Sequence, residues 1–246
     1  MSQGETLIQY APTVRSDSDT IGVFRCKPIY RTAEGQDFGI DVVLGHKGDI
    51  ENTALRNAAV LRIAFKALIR ARGQGQEIQL VLPVNSIALA SRDGATIIHD
   101  VFGELETEFR AGLIVEIFNL PERVSVDSLS EITIPMLPYT DTFLARPHPT
   151  MEDFTVFANC NYRGVSYDMD AAPEDAQDRL DHMTDFWSET TKRRLGLCVH
   201  DLDDESVLET VKRWEAMFID GPVIGAAGER PSPVSTIAEW KQAHSA

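Results

Sequence analysis

The stretch from Ile78 to Phe118, IQLVLPVNSIALASRDGATIIHDVFGELETEFRAGLIVEIF, holds one full period of the fold. Ile78 to Val84 is an apolar run with polar residues at its C-terminal end. Ile97 to Arg110 places its apolar side chains at helical spacing, Gly112 interrupts, and Leu113 to Phe118 is again continuously apolar but for Glu116. Strand, helix, strand with short breaks predicts a parallel crossover unit. The same alternation extends outward. Upstream, Val23 to Tyr30 and Phe38 to Leu44 are β-prone runs joined by the turn-like segment 32–37, which predicts an opening hairpin. Leu55, Ala59, Leu61, Ile63, Ala67 and Leu68 then mark a helix over 52–72, stopped by Gly73 and Gly75.

Downstream, a helix is expected over 125–134, ended by Pro135. A short strand over 141–145, a short helix over 151–159 and a strand over 164–169 follow. The longest helical window is 173–194, with proline in its first turn and acidic residues early. A strand over 195–199, a helix over 203–217 and a last strand over 218–224 complete the pattern. The total, about eight strands interleaved with about seven helices, is the signature of one α/β domain, a (β/α)8 TIM-like barrel opening with a β-hairpin. Its expected span is 23–228, preceded by an N-terminal arm over 1–22 and followed by a C-terminal helical tail over 229–246 in which Trp240 is placed to pack back on the barrel.

The composition is that of a globular chain, 43% hydrophobic and 25% charged. Its formal charge of −15 argues against nucleic acid as a partner. Cys26, Cys160 and Cys198 are odd in number and far apart, which fits reduced thiols and a cytoplasmic setting rather than a disulfide framework. No stretch approaches the roughly 18 apolar residues of a membrane span, and Met1 to Ser18 lacks the pattern of a secretory leader.

In a barrel of this kind the strand C-termini and the loops after them carry the chemistry. Asp41, Asn85, Glu116, Asp168, His200 and Asp203 all fall there, so the mouth is expected to be acidic, with oxygen donors and one imidazole suited to Mg²⁺ or Mn²⁺. Plainer roles exist for each. Asp203 precedes a helix whose positive end stabilises carboxylates, Asn85 is a loop-closing residue type, and Glu116 and His200 have the places of partnered core residues. The chain has no GxSxG, P-loop, HExxH or dinucleotide-binding glycine pattern.

Taken in order, these segments resemble the EAL domains, Mg²⁺-dependent phosphodiesterases of the bacterial messenger cyclic di-GMP, over roughly 23–225. Gly39-Ile40-Asp41-Val42-Val43-Leu44-Gly45 is similar to GYEALLR, with Asp41 for the signature glutamate and Gly45 for the phosphate-contacting arginine. Leu82-Pro83-Val84-Asn85-Ser86 resembles SVNLS and Leu113-Ile114-Val115-Glu116-Ile117 resembles LELTE. Gly164-Val165-Ser166-Tyr167-Asp168 resembles YLKID, with Ser166 at the lysine of the family's site. Counting back without gaps puts Ala145 and Arg146 where the family carries its bridging aspartates. Leu197 to Asp203 is similar to VVAEGVE with His200 and Asp203 in place of glutamates, and 219–222 to VQGY.

The resemblance therefore implies an EAL-type barrel whose metal site has lost Gly45, Ala145, Arg146 and Ser166 as functional positions. A two-metal site holds its ions roughly 3.5–4 Å apart through bridging carboxylates, and an arginine there opposes it. The expectation is a catalytically inactive signalling or scaffolding protein acting through protein contacts, a homodimer among them. The alternatives are a cyclic di-GMP or other nucleotide receptor, and a divergent metal-dependent phosphodiesterase. No cofactor is expected, with Mg²⁺ only on a residual site of Asp41, Asn85 and Glu116.

Overall fold

In the computed structural model, which describes residues 4–45 and 49–244, eight strands close into one barrel. They are β1 (Glu5–Val14), β2 (Val23–Arg31), β3 (Gln79–Asn85), β4 (Leu113–Phe118), β5 (Phe143–Ala145), β6 (Gly164–Asp168), β7 (Gly196–His200) and β8 (Phe218–Asp220). From β2 to β8 every neighbouring pair is parallel. β1 closes the ring antiparallel to both its neighbours, pairing Glu5 with Arg31 through Thr13 with Val23 on β2, and Thr13 with Asp220 on β8.

The described part of the expected arm over 1–22 is thus built into the barrel. Glu5–Val14 is a barrel stave, and its inner end from Ala11 to Val14 is fully buried. Both faces of this strand are covered, so it lacks the clean alternation of a half-exposed strand, and Pro12 further weakens its signal. The opening hairpin exists, but it joins β1 to β2. Of the expected strand over 38–44 only Asp37–Phe38 pairs, as a two-residue extension against Tyr30 and Arg31. Ile40–Leu44 is a short helix. Its β-branched residues read as strand, yet Val43 and Leu44 are buried as a helical pair while Asp41 and Val42 face out.

The remaining expected elements are present with shifted ends: the helix expected over 97–110 is Arg92–Gly103 followed by a separate turn Thr107–Arg110, the helix over 203–217 is Glu205–Arg213, and the strand over 218–224 stops at Asp220. Helix Ile50–Gly73 is started by the Asp49 side chain accepting from the Asn52 amide and buries Ala54, Ala58, Leu61, Phe65 and Leu68 on the barrel. Helix Ala176–Arg193 begins on the Asp175 side chain, which accepts from two amides, and ends on Arg194 in a left-handed conformation. The C-terminal helix Ile237–Ala243 is fixed by a capping box between Thr236 and Glu239. Trp240 is 2% exposed, lies 5.5 Å from the Phe24 ring and donates from Nε1 to the Ala226 carbonyl at 3.1 Å. Gly225 faces that indole so closely that a Cβ would meet it at 2.5 Å. Among the described residues no helix is long and apolar enough to cross a membrane.

The barrel interior is layered by the two-residue period of the strands. Val23, Val81, Ile114, Leu144, Cys198 and Phe218 form an apolar plug at the amino-terminal end. Two residues past Val23, Ile114, Leu144, Cys198 and Phe218 the inward positions change character. Arg25, Glu116, Arg146, Ser166, His200 and Asp220 lie above the plug, and a pocket opens over them.

Candidate functional site

All six side chains of this polar layer are withdrawn from solvent. Glu116 and His200 are each 1% exposed, Asp220 is fully buried, and even the Arg146 side chain is only 14% exposed. Such burial demands partners. Glu116 is saturated by them, with Ser166 Oγ donating at 2.5 Å and His200 Nε2 at 2.7 Å to Oε1, and Arg146 Nη2 at 2.5 Å to Oε2. The other nitrogen of His200, Nδ1, faces Asp220 Oδ2 at 2.6 Å. Arg25 grips Asp220 through Nε at 2.9 Å and Nη2 at 2.8 Å, and its Nη2 also reaches Asp201 at 2.6 Å. Lys27 bonds the second oxygen of Asp201. Arg146 Nη1 extends the chain to Asp168 at 2.8 Å.

An imidazole with a carboxylate at each nitrogen can satisfy both only as imidazolium. Burial alone pushes its pKa down, but Asp220 and Glu116 outweigh that and raise it to about 9. Burial works against ionised Glu116 and Asp220 too. Arg146 and His200 nevertheless hold Glu116 well below the usual carboxylate range, and Arg25 with His200 does the same for Asp220. At neutral pH four cations, Arg25, Lys27, Arg146 and His200, therefore balance four carboxylates, Glu116, Asp168, Asp201 and Asp220. These eight groups together carry no net charge.

Above it lies a pocket of about 610 Å³ at the carboxyl ends of the parallel strands. Phe118, Tyr167 and Phe186 supply aromatic wall, and Lys27, Arg146 and Asp170 supply charge. Tyr167 hydrogen-bonds His182 Nδ1 at 3.1 Å, and burial pushes its phenol up to about 12. Asp201 bends into the pocket from a left-handed backbone position at φ 58°, a costly conformation for a non-glycine residue. Its amide donates to Asp220 Oδ1, which helps fix that bend.

The expected site residues separate into two groups. Glu116, His200 and Asp168 belong to one network together with Arg146 and Ser166. Asn85 does not: it is fully buried, its Nδ2 donates to the Gly45 carbonyl at 3.3 Å, and its Oδ1 accepts from the Ile87 amide and from Asn119. It closes the loop after β3. Asp41 is exposed at the pocket rim on the Ile40–Leu44 helix, not on a strand end. Asp203 is exposed beyond β7, and Asp201 takes the inward place. Ala145 is buried in β5 and points away from the layer that Arg146 enters. Of the expected metal set Asp41, Asn85 and Glu116, Asn85 is engaged with the Gly45 carbonyl and the Ile87 amide, and Glu116 with Ser166, His200 and Arg146.

Oxygen donors for a divalent cation do exist at the mouth, where Asp168, Asp170 and Asp201 bring ligand atoms within 4.8 Å of one another. Burial, with Asp201 and Asp168 nearby, raises the Asp170 pKa. Two of the three carboxylates are already ion-paired, to Arg146 and to Arg25 with Lys27. Deeper down, Glu116 and Asp220 have guanidinium and imidazolium groups where ions would sit. The inner donor set does not fit a pair of metal ions.

Neither the protein-family models nor the curated protein sequences compared with the chain match it. Solved structures do. The YkuI protein of Bacillus subtilis, which has an EAL domain and was solved with cyclic di-GMP and calcium, superposes with a TM-score of 0.73 at 10% identity over 97% of this chain. The fold is that of the EAL domain. This chain spans 59% of the YkuI chain. The phosphodiesterase PaMucR in its cyclic di-GMP complex gives a TM-score of 0.70 at 12% identity, covering 90% of this chain and 91% of that one. The FimX EAL domain of Pseudomonas aeruginosa bound to cyclic di-GMP gives 0.69 at 13%, covering 91% of each.

Arg25, Lys27, Asp201 and Asp220 are the members of this ion-paired network that sequence reasoning missed. Arg25 interrupts an otherwise apolar strand and Asp220 ends another, which are legible signals. A search confined to metal-ligand residue types passes over the arginine.

Proposed function

We propose that this EAL-type barrel is a non-hydrolysing signalling domain that works through contacts with other proteins. The observation that carries the reading is the ion-paired layer. Arg25 and Arg146 occupy the barrel centre, every inner carboxylate is already neutralised, and no group there is free to activate water or to bridge two metal ions. Introducing a divalent cation would break bonds worth several kcal/mol and set it beside fixed positive charge.

A second reading, retention of cyclic di-GMP or another nucleotide without turnover, is favoured by the open pocket with its aromatic wall and by Arg146 and Lys27 at its floor. Both readings share one test. Cyclic di-GMP is incubated with purified protein and Mg²⁺ or Mn²⁺, products are followed chromatographically, and binding is measured by calorimetry on the same samples. The proposal requires no hydrolysis above that of Glu116→Ala, and heat without products selects the nucleotide receptor. Turnover that Glu116→Ala abolishes refutes both.

A further inference from the structure

Helix Ile50–Gly73 carries five cations, Arg56, Arg62, Lys66, Arg70 and Arg72, and one carboxylate, Glu51, in a chain whose net charge is −15. Arg56, Arg62, Lys66 and Arg70 are exposed and fall within about a third of a turn of the helix circumference. Leu55 and Ile69 share that arc and are 53% and 43% exposed. The helix dipole favours cations in the last turn but not Arg56, Arg62 and Lys66 further back. Arg62 is paired with Glu104 and Arg72 with Glu77. Lys66 and Arg70 have no carboxylate partner among the described residues.

The complementary surface is on the same chain. Helix Ala176–Arg193 presents Asp178, Asp181 and Asp185, all exposed and spaced to lie on one face, with Glu174 in line ahead of them. The nearest cation, Arg179, is turned back onto the carbonyls of Pro173 and Glu174. Arg62 to Arg70 covers about 12 Å along its helix, and Asp178 to Asp185 about 10 Å. One helix follows β2 and the other follows β6, four staves apart in a ring of eight, so the two stripes lie on opposite sides of the barrel. They cannot meet within one molecule.

We propose that the basic face of helix Ile50–Gly73 docks the acidic face of helix Ala176–Arg193 of a second copy, giving head-to-tail self-association. Opposite placement makes the contact heterologous, so it builds rings or short chains instead of a two-fold dimer. At about 0.1 M salt the screening length is about 10 Å, which preserves facing pairs while damping repulsion between two acidic molecules as wholes.

Sedimentation velocity on the full chain tests this. Wild type should grow in mean mass with concentration at about 0.1 M salt, with affinity weakened about tenfold or more at about 0.5 M. Lys66→Glu/Arg70→Glu has two acidic faces and Asp178→Lys/Asp181→Lys has two basic ones. Each should be monomeric alone, and an equimolar mixture should associate. Should a reversal fail to fold, Lys66→Gln/Arg70→Gln and Asp178→Asn/Asp181→Asn replace it, each expected to weaken association. Wild-type protein that is monomeric at all concentrations, reversed variants that associate like wild type, or a mixture that stays monomeric would overturn the proposal.

Discussion

Replacing Arg146 with methionine keeps most of the side-chain volume and removes the charge that holds Glu116 and Asp168 together. The guanidinium donates to Glu116 at 2.5 Å and to Asp168 at 2.8 Å, and Glu116 is 1% exposed. Breaking a buried ion pair from one side costs about 3–5 kcal/mol, because the surviving charge stays buried. In a chain of 246 residues that corresponds to a fall in unfolding midpoint of about 6–20 °C. Removing the acid too should return part of the loss. Gln at position 116 can still accept from His200 and Ser166 through its carbonyl oxygen, so Arg146→Met/Glu116→Gln should be less destabilised than the two single changes added together, by about 2 kcal/mol. Urea unfolding at pH 7 of the four proteins measures this coupling. A cost below about 1 kcal/mol for Arg146→Met, or strict additivity in the cycle, would show that the layer is not the tightly coupled unit described.

Other outcomes follow from the same geometry. His200 has its pKa raised from 6.5 to about 9, so its contribution is complete below about pH 6.5 and is lost as pH rises through 9. The loss is on the order of 3 kcal/mol, and His200→Gln should flatten the stability profile between those limits when urea midpoints are compared. Trp240→Ala empties a fully packed site against Phe24 and should cost about 3–5 kcal/mol by chemical denaturation. Deleting residues 1–22 removes the stave between β2 and β8, so the truncated protein should lose its cooperative thermal transition; a folded, soluble product would contradict the barrel closure.

The barrel was legible because its parallel strands are buried on both faces and read as apolar runs, each broken by glycine or proline from an amphipathic helix. What escaped was the strand whose identity depends on closure. β1 is held by β2 and β8 across the chain, and neither Gln9 nor Pro12 advertises it locally. Misplacing β1 displaced the hairpin by one strand, which in turn put Asp41 on a strand end when it belongs to a helix. Glu116, Asp168 and His200 stood out because Glu116 interrupts an apolar strand and Asp168 and His200 end two others. Their chemistry did not, since nothing in the sequence says that Arg25, two residues past Val23, and Arg146, two past Leu144, point into the same layer. That becomes visible only in the closed barrel, where both guanidinium groups reach the linked carboxylates Asp220 and Glu116 on either side of His200.

Fixed cations, not metal ions, neutralise the carboxylates at the barrel centre. This neutralisation is tested most directly by the thermal unfolding midpoint in about 10 mM Mg²⁺ or Ca²⁺ against EDTA. A site filled to about 100 times its dissociation constant would add about 2.7 kcal/mol, or about 5–11 °C. Wild type should show no such rise, and Arg146→Asp, which places a third carboxylate beside Glu116 and Asp168, should show a clear Mg²⁺-dependent one. A rise of several degrees in wild type that disappears in Glu116→Gln would contradict neutralisation by fixed cations.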